Sequence, residues 1–220
     1  MSESSTASSK KMLFAMTLIG TVCAILIVLA YEGTKPRIER LKAEALDRAI
    51  FKVIPGISTT EAFYYTDGQL KKETESENIV YSGYDENGNL KGVAISAVGQ
   101  GYADKIKVLY GYNPNEETIV GIYVLETKET PGLGDKIEKD ENFLANFKAL
   151  DVSLDADFIG LVNDVVTVKN GEKNETWQID GITGATISSR AIGNILNSSA
   201  NEWAPIIQKN LETLKAKGHE

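Results

Sequence analysis

Met12 to Tyr31, MLFAMTLIGTVCAILIVLAY, is a run of 20 residues without a charge. A helix of about 20 residues rises about 30 Å, the thickness of a bilayer's hydrocarbon core. Lys10 and Lys11 bound the run on one side, and Glu32, Lys35 and Arg37 on the other. Tyr31 stands where an interfacial aromatic is expected. A cleaved signal peptide is the alternative, but the run is longer than an ordinary h-region and no small-x-small cleavage site follows it. One retained transmembrane anchor over residues 12–31 is the expectation. Charge does not orient it. Two lysines precede the span, Lys35, Arg37, Arg40 and Lys42 follow it, and long domains translocate largely regardless of local charge.

Composition removes several function classes. The formal charge is −8, which disfavours binding to a nucleic-acid backbone. Cys23, inside the apolar run, is the single cysteine, so the chain forms no intrachain disulfide and no cysteine metal cluster. The single histidine, His219, lies in a polar tail and is expected to be solvated. Histidine triads and histidine-ligated metals are thereby largely excluded. No nucleophile–base pair presents itself, so a hydrolase is poorly supported.

The remaining chain divides by pattern. Residues 1–11 are small and polar, with the composition of a disordered segment. Residues 32–56 carry helical spacing at Ile38, Leu41, Ala45, Leu46, Ala49 and Ile50, closed by Pro55-Gly56, and predict a linker helix. Residues 57–220 predict one further domain. Two strands flank a turn at Asn87-Gly88-Asn89, and two more flank Asn113-Pro114-Asn115. Residues 141–150 predict a short helix. FIGLVNDVVTVKNGEKNETWQID predicts another hairpin, turning near Asn170-Gly171. From Ser188 to about Lys217 the pattern is helical, with an interruption near Pro205. Strands flanked by helices, rather than alternating with them, predict an α+β domain on a mainly antiparallel sheet.

Two stretches could carry chemistry. In IDGITGATISSRA, residues 179–191, Gly181 and Gly184 allow close approach to the main chain. Ser188 or Ser189 is a candidate cap for the next helix. A helix N-terminus attracts phosphate, and Thr183, Thr186, Ser188 and Ser189 add hydroxyls. The alternative is a plain strand–turn–helix connection. In VLETKETPGLGDKI, residues 124–137, Thr130-Pro131-Gly132 and Gly134 constrain a loop and pin Leu133, which could cover a flat aromatic ligand. The alternative is an ordinary Pro-Gly turn. Glu126 and Glu129 are candidate bases, although loop carboxylates are usually just solvated.

Together, KETPGLGDKI and DGITGATISS behind one anchor resemble the FMN-binding G subunit of the Rnf electron-transport complex. The related C subunit of the sodium-pumping NADH:quinone reductase shares the pattern. The likeness covers nearly the whole chain. It implies that Thr186 carries FMN through a phosphoester bond made by a separate flavin transferase from FAD. Asp180, Gly181, Thr183, Gly184 and Ala185 match the surrounding recognition motif, and Ser188 follows it. The loop of Thr130, Pro131, Gly132, Leu133 and Gly134 would border the isoalloxazine ring, with Glu129 beside it among the cofactor-binding residues. The resemblance further implies a domain on the outer side of a bacterial cytoplasmic membrane, within a complex coupling ferredoxin–NAD electron transfer to ion transport. Direction of flow and choice of ion belong to the assembly. Thr127 stands where the family commonly has histidine. The rival of another class is an anchored, non-redox binding or assembly module whose glycine turns are only structural.

Overall fold

The computed structural model describes residues 3–72 and 78–215. His219 and the end of the predicted C-terminal helix, beyond Lys215, lie outside the described residues, as do Met1 and Ser2. Two compact units emerge, one through Ala45 and one from Leu46.

The first unit is helical. One helix, α1 (Glu3–Val53), begins in the first unit and ends in the second. Disorder was the expectation through residue 11, yet the helix already runs from Glu3. Extending an established helix adds one hydrogen bond per residue with no new nucleation cost, so weak formers can join it. The expected anchor and linker helix are continuous. Pro36 lies inside α1. Its apolar stretch has a mean hydropathy of 2.7 and none of it is buried by protein. It is long and apolar enough to cross a membrane.

The second unit is the expected α+β fold. The strands run β1 (Thr59–Thr66), β2 (Gln69–Lys71), β3 (Ile79–Tyr84), β4 (Leu90–Gln100), β5 (Lys105–Asn113) and β6 (Thr118–Glu126). A 3-10 turn at Gly134–Glu138, the short α2 (Glu141–Ala145) and a second 3-10 turn at Asn146–Lys148 follow. Then come β7 (Leu150–Asp151), β8 (Val166–Val168), β9 (Gln178–Asp180), α3 (Thr186–Lys209) and α4 (Leu211–Lys215). Seven strands form an antiparallel sheet in the order β2-β1-β3-β4-β5-β6-β7. Two of the three expected hairpins are present, β3–β4 around residues 85–89 and β5–β6 around 114–117.

Strand period two sorts the side chains. Val93, Ile95, Ile106, Val108, Tyr110 and Tyr112 join the main core with Ile192, Ile195, Leu196 and Ile207 of α3. Ala94 and Leu109 face the other way, onto Ala49, Ile50, Val53 and Ile54 at the end of α1. The last turns of the stretch expected to be a linker, Ala49 to Ile54, are therefore one layer of the domain. Gly56, at φ +77, stops the helix in the left-handed conformation that favours glycine there.

That layer sits unusually close. Gly83 on β3 is opposite Gly92 on β4, and Gly111 on β5 is opposite Gly121 on β6. A Cβ on Gly111 would lie 2.1 Å from the Val53 carbonyl oxygen, and one on Gly121 would lie 2.7 Å from the same oxygen. Gly92 meets Ile54 and Gly83 meets Ile57. A glycine row across four strands thus makes the trench that receives the helix end.

Two further expectations are corrected. β8 and β9 pair in parallel, Val166 with Gln178 through Val168 with Asp180, so this stretch is no hairpin. Each strand has only three residues, so a short loop reaches back far enough to align them in the same sense. Asp180 Oδ1 accepts from Gly171 N–H at 2.7 Å, and Asn170 Nδ2 donates to Gly181 O at 3.0 Å, which ties the loop down. The C-terminal helix passes through Pro205 and breaks at Asn210 instead. There Asn210 Oδ1 accepts from Leu70 N–H at 3.2 Å while its Nδ2 donates to Ile206 O at 2.9 Å. The break serves that link between helix and β2.

Candidate functional site

The two glycine-bearing stretches meet at the N-terminus of α3. Each contains a tight turn of the same design. Leu133 N–H donates to Thr130 O at 3.1 Å, with Pro131 second in the turn and Gly132 third at φ +78. Ala185 N–H donates to Ile182 O at 3.0 Å, with Thr183 second and Gly184 third at φ +84. Positive φ at the third position is the type II pattern, where glycine is favoured. Asp135 fixes the first turn by accepting from Gly132 N–H at 2.7 Å. Its hydrogen bond to the Lys139 ammonium, at 2.8 Å, is the main reason its carboxyl lies below the usual carboxylate range.

Between the turns lies a cleft of about 390 Å³, within the roughly 300–1,000 Å³ of small-molecule sites. Of the residues expected at a site, Glu129, Thr130, Leu133, Gly134, Gly184, Ala185, Thr186 and Ser188 line it. Pro131 and Gly132 shape the turn without lining the cleft. Asp180, Gly181 and Thr183 line a separate hollow of about 200 Å³ with Asn170 and Lys136. Gly181 answers to packing rather than to ligand approach, since a Cβ there would lie 2.8 Å from Val168 O. Gly184 differs, with open space where a Cβ would stand.

Thr186 is the first residue of α3, exposed at the cleft edge. Neither serine caps this helix. Ala185 is the N-cap residue and makes no side-chain cap hydrogen bond. The first intrahelical donor is Ser189 N–H, to Ala185 O at 2.9 Å. The N–H groups of Thr186, Ile187 and Ser188 therefore have no intrahelical acceptor. Ser189 Oγ is buried, accepting from Ile182 N–H at 3.0 Å and donating to Ala185 O at 2.9 Å. It fastens the turn to the helix.

Glu129 is not solvated. It is 5% exposed. Its Oε1 accepts from the N–H groups of Tyr102 and Ala103 at 2.8 and 3.0 Å, and Ser188 Oγ donates to its Oε2. A Cβ on Gly101 would lie 2.5 Å from one carboxylate oxygen, and one on Gly134 would lie 2.6 Å from the other. One carboxylate thus joins the β4–β5 loop, the 130–134 turn and the start of α3. Glu126, by contrast, is exposed at the end of β6. Glu129→Ala should destabilise the domain by about 1–2 kcal/mol, because two part-buried N–H donors and the Ser188 hydroxyl lose their acceptor. Glu129→Gln, which keeps an acceptor oxygen, should stay within about 1 kcal/mol of wild type. Thermal melting checks this, and equal losses in both variants would remove the clamp from the account.

Residues the motifs did not single out complete the cleft. Tyr102, 65% exposed, and Ile187, 56% exposed, join Leu133, 52% exposed, as apolar groups at the opening. Gly99-Gln100-Gly101 before Tyr102 was the available signal. Among the described residues, no lysine or arginine lines the cleft, and no group of His, Cys, Asp or Glu is suited to a metal.

Residues 101–201 match the FMN-binding domain family, a span holding both turns and the first part of α3. Among characterised proteins, the chain is 30% identical over 191 residues to the G subunit of the "ion-translocating oxidoreductase complex" of Methanosarcina acetivorans. That alignment covers 87% of this chain and 92% of the relative. The protein of the same name from Pasteurella multocida is 30% identical over 196 residues, covering 84% and 88%. In fold, the chain is similar to the crystal structure of the C subunit of Na(+)-translocating NADH-quinone reductase from Parabacteroides distasonis. The TM-score is 0.57 at 20% identity, over 78% of this chain and 95% of that one.

Proposed function

The chain belongs to the G-subunit family of ion-translocating oxidoreductase complexes, and from that membership we propose that it is a membrane-anchored electron relay with FMN bound covalently to Thr186. The observation that carries this reading is the position of Thr186. An exposed hydroxyl stands at the uncapped N-terminus of a 24-residue helix, on the edge of a cleft with apolar groups at its mouth.

The residues present fit FMN. Three helix N-terminal N–H groups and the positive end of the helix dipole suit a phosphate. The described residues of the cleft offer no cation to neutralise a dianionic phosphate. A phosphodiester through Thr186 Oγ1 carries a single negative charge and needs none. Attachment therefore replaces the affinity that a basic residue would otherwise supply. Forming that bond joins Thr186 Oγ1 to the FMN phosphorus of FAD, with AMP leaving and the hydroxyl proton released. Glu129, the carboxylate lining the same cleft, is engaged by Tyr102, Ala103 and Ser188, and in this reading a separate flavin transferase catalyses the step.

Bound FMN supplies reversible one- and two-electron chemistry. The chain supplies the rest. Leu133, Tyr102 and Ile187 present apolar surface to a flat ring and exclude water from it. Glu129 holds the three segments at the cleft in register. The 12–31 span holds the domain at the membrane, on its outer side in this reading, within reach of the other members of an Rnf-type complex. The rival reading, as the C subunit of the quinone reductase, draws on likeness of fold, whereas the two sequence relatives described above are G subunits.

The deciding experiment is the intact mass of the full chain co-expressed with a flavin transferase. A gain equal to FMN less one water, with in-gel flavin fluorescence, is expected. No gain, while the same transferase loads a second acceptor protein, would return the chain to an anchored, non-redox module.

A further inference from the structure

Three apolar side chains stand out from one short segment, well away in sequence from both turns. Ile159 is 74% exposed, Val162 60% and Phe158 41%. Single exposed apolar residues are ordinary, but a group of them on one tip marks an interaction site.

The tip is braced. Leu154 and Leu161 pair antiparallel at its base and pack on the main core. Asp155 N–H donates to Gly160 O at 2.9 Å, Phe158 N–H donates to Asp155 O at 3.1 Å, and Ile159 N–H donates to the Asp155 carboxylate at 2.8 Å. Two asparagines of α3 hold the flanks, Asn201 accepting from Leu161 N–H at 3.1 Å and Asn197 from Val165 N–H at 2.8 Å. Inside this frame Phe158 adopts φ +51, a conformation that bulky residues rarely take. The surrounding bonds therefore fix an aromatic in an unfavoured shape at the surface. A surface fixed before binding loses little entropy when it docks.

Charge narrows the partner. Between Lys148 and Lys169 the chain has no cation, only Asp151, Asp155, Asp157 and Asp164. Asp157 and Asp164 are exposed and flank the apolar residues. Anionic lipid headgroups repel such a frame. An apolar pocket edged with lysine or arginine on another protein complements it.

We propose that the 155–164 tip is the docking surface for a partner protein presenting an apolar pocket with a basic rim. The inference rests on and deepens the reading under Proposed function, for which the partner is another member of the complex. The test places a photo-crosslinking amino acid at Ile159 of the full chain in native membranes, with Asn115, an exposed turn residue, as the control position. A protein-sized adduct from position 159 but not 115 is expected. It should be lost in the Asp157→Lys, Asp164→Lys double variant, whose melting temperature should stay at the wild-type value. An adduct of lipid mass would overturn the proposal in favour of bilayer contact, and so would no adduct above control. A native gel of the same sample separates the two readings. A chain migrating within a complex without an adduct removes only the docking surface, and a chain migrating alone removes membership of a complex as well.

Discussion

Gly111→Ala should destabilise the sheet domain by about 3 kcal/mol, a fall of roughly 6–12 °C in melting temperature for a domain of this size. The new methyl carbon would stand 2.1 Å from the Val53 carbonyl oxygen and 2.8 Å from its carbon. Both are backbone atoms at the end of α1, so relief requires the helix end to withdraw from the sheet. Withdrawal opens the layer formed by Ile50, Val53, Ile54, Ala94 and Leu109. Gly83→Ala is the matched control. Its nearest neighbours are the Cγ2 and Cδ1 atoms of Ile57, at 2.8 and 3.0 Å. Those are side-chain atoms, Cδ1 free to turn and Cγ2 movable only with χ1, and the cost should stay at about 1–2 kcal/mol, below that of Gly111→Ala. Thermal melting of the two full-length variants decides it. Equal, small losses would mean that the helix end does not seat in the glycine trench.

The glycine row also shows what pattern can and cannot reveal. The helical spacing over 32–56 and its Pro55-Gly56 stop were legible because they are local, fixed by period and turn chemistry. That the last turns of this helix are a layer of the fold was not legible. It depends on Gly83, Gly92, Gly111 and Gly121 lining up across four strands, and strand register is a long-range fact. The hairpins around residues 85–89 and 114–117 were legible for the same local reason. The parallel pairing of β8 and β9 was not, because Asn170-Gly171 is a turn signal that says nothing about the sense in which two short strands return.

The site divides along the same line. Thr130-Pro131-Gly132-Leu133 and Ile182-Thr183-Gly184-Ala185 announce their turns, and both positive-φ glycines sit where the turn demands them. Glu129 was hidden. Its spacing is that of any loop carboxylate, and its burial arises from Tyr102 and Ala103, far off in sequence. Gly101 and Gly134 close on it from both sides, and neither glycine signals that by composition. Asp180, Gly181 and Thr183 carry the opposite lesson. They belong to one stretch with Thr186, yet they line a different hollow. Asp180 braces the β8–β9 loop through Gly171 N–H, and its main-chain N–H and O are both engaged by Asn146. A motif's residues need not share one job.

Thr186→Val should abolish covalent flavin altogether, while Thr183→Val leaves it in place. The two threonines are three residues apart, both exposed, and either hydroxyl has the chemistry to accept a phosphoryl group. Their surroundings separate them. Thr183 is the second residue of its turn and faces the smaller hollow beside Asp180. Thr186 opens α3 at the larger cleft, where the free N–H groups of the first turn can hold the phosphate oxygens as the bond forms. Both substitutions exchange a hydroxyl for a methyl on an exposed residue, so stability should change by no more than about 0.5 kcal/mol. Loss of flavin then reports lost chemistry rather than lost fold. Thr186→Ser should retain part of the attachment, because the hydroxyl remains but the β-branch that restricts its rotamer is gone. Intact mass and in-gel fluorescence after co-expression with the transferase read all three variants together. Flavin surviving in Thr186→Val and vanishing in Thr183→Val would move the bond to the turn. The helix N-terminus would then be left as packing alone.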